Sequence, residues 1–134
     1  MAARDNSPID IIARSDDTAV SEAERSLPVS NDLRRAVNLL EISRHFDQPR
    51  TNIVVNEVND SCLRLAVFTG VYPWHHHPQS DEQFIVLEGE LVVDFADGSS
   101  VTLRPLDALT VPAGVVHQTR SHVRTVNLCF EHTA

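Results

Sequence analysis

From Thr51 onward the apolar residues fall into short runs rich in β-branched side chains, each cut off by Gly, Pro or Asp. Ile53-Val54-Val55, Leu63–Thr69, Glu82–Leu87, Glu90–Ala96, Val101–Arg104, Ala108–Val111, Val116–Thr119 and Arg124–Phe130 each have the length and composition of a strand. Gly70 and Pro73 interrupt the chain before a histidine cluster, and Glu88-Gly89 turns it. Asp97-Gly98 is a two-residue hairpin signal that predicts a type I′ turn. Six or more such strands predict an all-β sandwich or barrel. Upstream the pattern changes. Leu33, Val37, Leu39, Leu40, Ile42 and Phe46 alternate with Arg34, Arg35, Glu41 and Arg44. That spacing fits a helical turn or two packed on a core, and a short strand around residues 36–39 fits it equally; Pro49 ends either one.

Residues 1–30 are poor in aromatics and rich in Ser, Asp and Glu, with one apolar cluster at Ile9, Ile11 and Ile12. A weak helix is expected from Asp16 to Leu27, stopped by Pro28. The chain thus divides into an N-terminal arm, 1–30, mobile or docked on a dimer partner, and a barrel domain, 31–134.

The strands carry a concentration of potential ligands. His75 and His77 are two apart, so on a strand they share a face while His76 points away to the rim. Two residues of strand rise by roughly 6.6 Å, close enough for both rings to lean onto one ion. Glu82 opens the run Gln83-Phe84-Ile85-Val86-Leu87. If it faces inward, so do Phe84 and Val86, and a carboxylate beside apolar neighbours needs a positive partner. His117 follows Pro112-Ala113-Gly114 and re-enters the sheet near a strand start. Three imidazoles and a carboxylate suit one divalent transition-metal ion: Fe, Mn, Co, Ni or Zn. His45, His122 and His132 have no partner in sequence and are expected at the surface or in a second layer, as are Arg64 and Arg120. Thr119 and Ser121 share a face with His117 and are candidates to support the ligands.

The pattern His75-x-His77-x4-Glu82-x6-Gly89, followed by Pro112-x-Gly114-x2-His117, resembles the two-part signature of the cupin superfamily, and in particular small single-domain bacterial members. The likeness spans about Asn38 to Glu131. It implies a cupin-type double-stranded β-helix, a jelly-roll barrel, with a short helical or irregular N-terminal segment and a metal held inside by His75, His77, Glu82 and His117. Three positions depart from the family pattern. Gly70 stands one residue closer to His75, Leu106 replaces the glycine that opens the second half, and Ser121 replaces its final asparagine.

Composition narrows the function. The chain has 134 residues and a net charge of −8, which argues against a nucleic-acid partner. All eleven basic residues are arginine, so no side-chain amine can form a Schiff base. No apolar stretch is long enough to span a bilayer, and Met1-Ala2-Ala3-Arg4-Asp5 opens no secretory apolar core. Cys62 and Cys129 are expected as buried, reduced thiols. A cytoplasmic protein is expected.

The inward positions Phe84, Val86, Leu91, Val93 and Phe95 predict a small, largely apolar cavity with the ion as its main polar feature. Two readings stay open: a metal-dependent enzyme acting on a small oxygenated molecule (dioxygenase, decarboxylase or isomerase), or a non-catalytic metal and small-ligand binding module. A homodimer is expected, because Ile85 and Leu87, opposite Glu82, would leave the outer face apolar.

Overall fold

The computed structural model describes residues 35–47 and 50–133. The arm expected at 1–30, with its isoleucines and weak helix, lies outside the described residues. Seven antiparallel strands form a jelly-roll: β1 (Arg50–Val58), β2 (Ser61–His75), β3 (Glu82–Glu88), β4 (Leu91–Phe95), β5 (Ser100–Leu103), β6 (Ala108–Val111) and β7 (His117–His132). The strand path is β1-β2-β7-β3-β6, with β4 joined to both β7 and β5. No helix among the described residues is long and apolar enough to cross a membrane.

β7 holds the fold together. Its first half pairs with the end of β2 and with β4, and its second half pairs with the start of β2 and with β3. The register skips between Thr125, opposite Phe68, and Ser121, opposite Gly70, so His122, Val123 and Arg124 are exposed at a bend. That bend lets one strand serve two walls of the barrel. Asp94 fastens the β4–β7 seam beside His117: its carboxylate accepts from Arg120 Nε at 2.8 Å and Gln118 Nε2 at 2.8 Å. The hydrogen bonds from Arg120, then Ser100 and Gln118, hold the Asp94 carboxyl far below the usual carboxylate range. Arg120 is thus a surface residue, as expected.

Alternation along the strands sorts the apolar residues into two layers. Phe68, Phe84, Val86, Leu91, Val93, Leu103, Val111 and Cys129 fill the interior, with Phe95 against them. Ile53, Val55, Leu65, Val67, Val126 and Leu128 face outward and are covered by Ile42 and Phe46. Ile42 belongs to a short helix, α1 (Leu39–Ser43), so the helical alternative holds and the strand at 36–39 does not form. Asn38 caps α1 by accepting from the Glu41 N–H at 2.9 Å. At the other end Arg124, projecting from the β7 bend, donates to the carbonyls of Ser43 and Phe46. Ile85 and Leu87 are half-buried against this outer cluster. The apolar face invoked for a dimer is therefore partly covered within the chain.

The β4–β5 hairpin forms, but its turn differs from the expected type I′. Gly98 has φ +91°, whereas no positive φ occurs at Asp97. The loop instead closes through Gly98 N–H to the Phe95 carbonyl, while the Asp97 carboxylate accepts from both the backbone N–H and the hydroxyl of Ser99. An aspartate that bonds forward to its own backbone favours this longer loop over a tight left-handed pair. Cys62 and Cys129 are buried on neighbouring strands, set diagonally: Cys62 faces Glu131 and Cys129 faces Arg64.

Two turn positions carry opposite costs. Gly89 has φ +86°, and a Cβ there would lie 2.6 Å from the Arg124 carbonyl oxygen. Leu106, standing where the family pattern has glycine, also has φ +72° and is 82% exposed. We expect Gly89→Ala to destabilise the protein by about 2–5 kcal/mol through left-handed strain plus the clash. Leu106→Gly should stabilise it by up to about 1 kcal/mol, since the relieved strain exceeds the added chain entropy. Urea denaturation of both variants checks the pair, and a less stable Leu106→Gly would show that the leucine is unstrained.

Candidate metal centre

Each of the four expected side chains sits at the end of a strand or just beyond it. His75 is the last residue of β2, Glu82 the first of β3 and His117 the first of β7. His77 lies past the end of β2, so the shared strand face expected for His75 and His77 is not what unites them. A bulge at Pro73-Trp74 rephases β2 so that His75 faces His117 directly. The loop that follows then carries His77 back, pinned by the Gly114 N–H donating to the His77 carbonyl at 2.8 Å. Asp81 completes the stitch by accepting from the Ala113 N–H at 2.9 Å. The two halves of the sequence signature are thus tied to each other by one backbone hydrogen bond and one to the Asp81 carboxylate. His76 is exposed, as are His45, His122 and His132.

The donor atoms of His75, His77, Glu82 and His117 all lie within 4.8 Å of one another. Two ligands each about 2.1 Å from one ion stand at most about 4.2 Å apart, so small ring rotations close the set. The hydrogen bonds fix the tautomers. His75 Nδ1 lies 2.8 Å from the Pro73 carbonyl and His117 Nδ1 lies 2.9 Å from the Val115 carbonyl. A carbonyl only accepts, so both Nδ1 atoms carry the proton and both Nε2 lone pairs are free to bind. Burial, the largest influence on His75, lowers its pKa and keeps that ring neutral. His77 Nε2 and His117 Nε2 stand 3.1 and 3.3 Å from the same Glu82 oxygen. The buried contact between His117 and the Glu82 carboxylate is one that a metal ion between them, or a second proton on the ring, would satisfy. The residues present therefore fit a metal ion.

The supports are not those expected. The ring partners of His75 and His117 are backbone carbonyls. Ser121 instead donates to the Val123 carbonyl at 2.6 Å, and Thr119 lines the cavity beside the cluster. Sequence reading placed Arg64 at the surface, but it is buried and its Nε donates to Glu131 Oε1 at 3.0 Å. It pairs because β2–β7 register sets two inward-facing charged residues diagonally across the strands. Glu131 Oε2 also stands 3.8 Å from His77 Nδ1. A cavity of about 40 Å³ opens from the centre. Phe84 and Leu91 line it as expected, and Phe68 joins them, but so do Asn52, Asn127, Thr119, Tyr72 and Arg50. The Arg50 guanidinium lies 4.3 Å over the Tyr72 ring, which packs edge-on to His75. The cavity is thus more polar than the inward apolar positions implied.

Comparison with known proteins agrees with this architecture. A family model described as a cupin domain matches residues 64–128. The uncharacterized protein YdbB of Bacillus subtilis (strain 168) is 59% identical over 95 residues, covering 71% of this chain and 84% of YdbB. A cupin-2 domain containing protein from Shewanella frigidimarina superposes with a TM-score of 0.68 at 30% identity, covering 72% of this chain and 93% of that one. Protein NMB1881 from Neisseria meningitidis gives a TM-score of 0.68 at 29% identity, covering 74% and 100%. The chain belongs to the cupin superfamily.

We expect His75→Ala and His117→Ala each to lose bound metal while the barrel stays folded, and His76→Ala to keep it. Elemental analysis alongside circular dichroism checks this; loss of metal from His76→Ala would show that the ligand assignment is wrong. Arg64→Met and Glu131→Gln should each destabilise the protein by about 3–5 kcal/mol, because either change leaves a buried partner unpaired. Chemical denaturation checks the pair.

Proposed function

We propose that His75, His77, Glu82 and His117 hold one divalent transition-metal ion, and that the protein is a metal-dependent enzyme acting on a small oxygenated organic molecule. The observation that carries this reading is that the ligand cluster opens onto a cavity: His75 and Glu82 line it together with Phe68, Phe84 and Leu91. Four protein donors leave two positions of a six-coordinate ion for a ligand. Once bound, the ion would polarise a carbonyl, steady an enolate or bind two substrate oxygens as a chelate.

The chain's own residues do the rest. The carbonyls of Pro73 and Val115 orient the rings, and Phe68, Phe84 and Leu91 exclude water around the reacting group. Tyr72, held between Arg50 and His75, walls the cavity on one side. The reaction would be of dioxygenase, decarboxylase or isomerase type, each of which starts from a chelated oxygenated carbon, the first with dioxygen as co-substrate.

The cavity wall also supports a second reading. Glu82 is the only carboxylate among the described residues lining it, and it belongs to the cluster. A wall without a further acidic residue suits a module that binds a metal chelate without converting it.

One experiment separates the two. Protein loaded in turn with Fe, Mn, Ni or Co is offered diketones, thiols, phenols and hydroxy acids, with oxygen uptake and product formation followed. Turnover with at least one metal is expected. Tight binding without turnover across the panel would overturn the enzyme reading in favour of the binding module.

A further inference from the structure

Asn127 is a polar residue in an otherwise apolar stretch of β7, and it is only 2% exposed. The register sets it opposite Ala66 on one side and Val86 on the other, and Ala66 in turn faces Asn52 on β1. One row across the inner wall therefore reads Asn52, Ala66, Asn127, Val86. Two carboxamides flank a lone methyl, which leaves space in front of them. Asn52, Ala66 and Asn127 all line the cavity that also contains His75 and Glu82.

The carboxamides are poorly served by the protein. Asn127 Nδ2 donates to Cys129 Sγ at 3.4 Å, a soft and weak acceptor. The Oδ1 atoms of Asn127 and Asn52 are buried and have no hydrogen-bond partner among the described residues. A buried amide oxygen left without a donor costs about 1–3 kcal/mol. Turning either amide over only exchanges an unserved acceptor for an unserved donor. A hydroxyl group answers both cases, because it donates and accepts. Phe68, Phe84 and Leu91 make up the surrounding wall, so a neutral group suits this spot better than a charged one.

Distance along the sheet sets the shape of the ligand. Val86, opposite Asn127, lies four residues beyond Glu82 on β3, roughly 13 Å of strand. Side chains at both ends reach into the space between. The geometry points to a small elongated ligand: two chelating oxygens at one end for the metal, and a neutral hydroxyl at the other, read by Asn127 with help from Asn52. This assignment rests on the metal-chelate reading proposed above, and it adds the substrate class that the site selects.

A matched series tests it on the full chain loaded with Co(II), whose visible absorption reports a ligand reaching the ion. The probes are 2-hydroxypentanoate and its 4- and 5-hydroxylated derivatives, titrated by calorimetry and by absorption. All three share the chelating head and differ only in the far hydroxyl. At least one hydroxylated derivative is expected to bind about tenfold tighter than the parent. Asn127→Leu should shrink that preference to less than about threefold. Should Asn127→Leu fail to fold, Asn52→Ala is expected to reduce the preference in the same direction, and the wild-type series decides the matter by itself. Equal affinities across the series, with the cobalt absorption still perturbed, would overturn the hydroxyl-reading role and leave chelation standing. No binding and no change in absorption with any probe would overturn both.

Discussion

A single carboxylate oxygen organises this protein's centre. Glu82 is 4% exposed, and one of its oxygens stands within 3.3 Å of ring nitrogens from both His77 and His117. Because the Val115 carbonyl takes the Nδ1 proton of His117, Nε2 is the ring nitrogen turned toward Glu82. A buried carboxylate needs positive charge beside it, which a bound metal ion or a protonated ring would supply. Everything else about the site follows from meeting that demand: the rings are aimed, solvent is kept out, and one side is left open to a cavity.

The fold meets the demand by ending strands at the same place. β2 ends at His75, β3 begins at Glu82 and β7 begins at His117. Hydrogen bonds from the Gly114 and Ala113 N–H groups to the His77 carbonyl and the Asp81 carboxylate lock the two intervening loops together. β7 is the strand that makes this possible, since its bend at residues 122–124 lets it pair with β2 along nearly its whole length while also serving β3 and β4. The same bend sends Arg124 outward to cap α1, which covers the outer apolar layer. Closing the barrel and covering its outer face are therefore coupled through one irregularity in one strand.

Away from the ion the interior is not uniformly apolar. The buried Arg64–Glu131 pair stands behind His77, and two carboxamides line the far wall of the cavity. Charged and polar groups carry a desolvation penalty in such a place unless they are paired. Arg64 and Glu131 offset each other's charge, although Arg64 Nη1 has no hydrogen-bond partner among the described residues, while Asn52 and Asn127 leave their carboxamide oxygens unmet there. That difference separates groups that hold the barrel together from groups that face what enters it.

Much of this was legible in the chain itself. Alternation along β3 and β4 assigned Phe84, Val86, Leu91 and Val93 to the interior, and the spacing of His75, His77, Glu82 and His117 named the four side chains that converge. Those are local properties, fixed by strand period and turn chemistry. Other features depend on which strands become neighbours, and no local pattern specifies that. Arg64 is buried because β2–β7 pairing brings it to Glu131, and Asn127 reaches the cavity because Ala66 opposite it is small. His77 joins the cluster from a loop, after a bulge that no run of residue types announced. The sequence by itself determined the strands, the layers and the four side chains that cluster; only the tertiary structure decided how polar the cavity is and where its second set of contacts lies, because cross-strand register is a property of the closed barrel and not of any one segment.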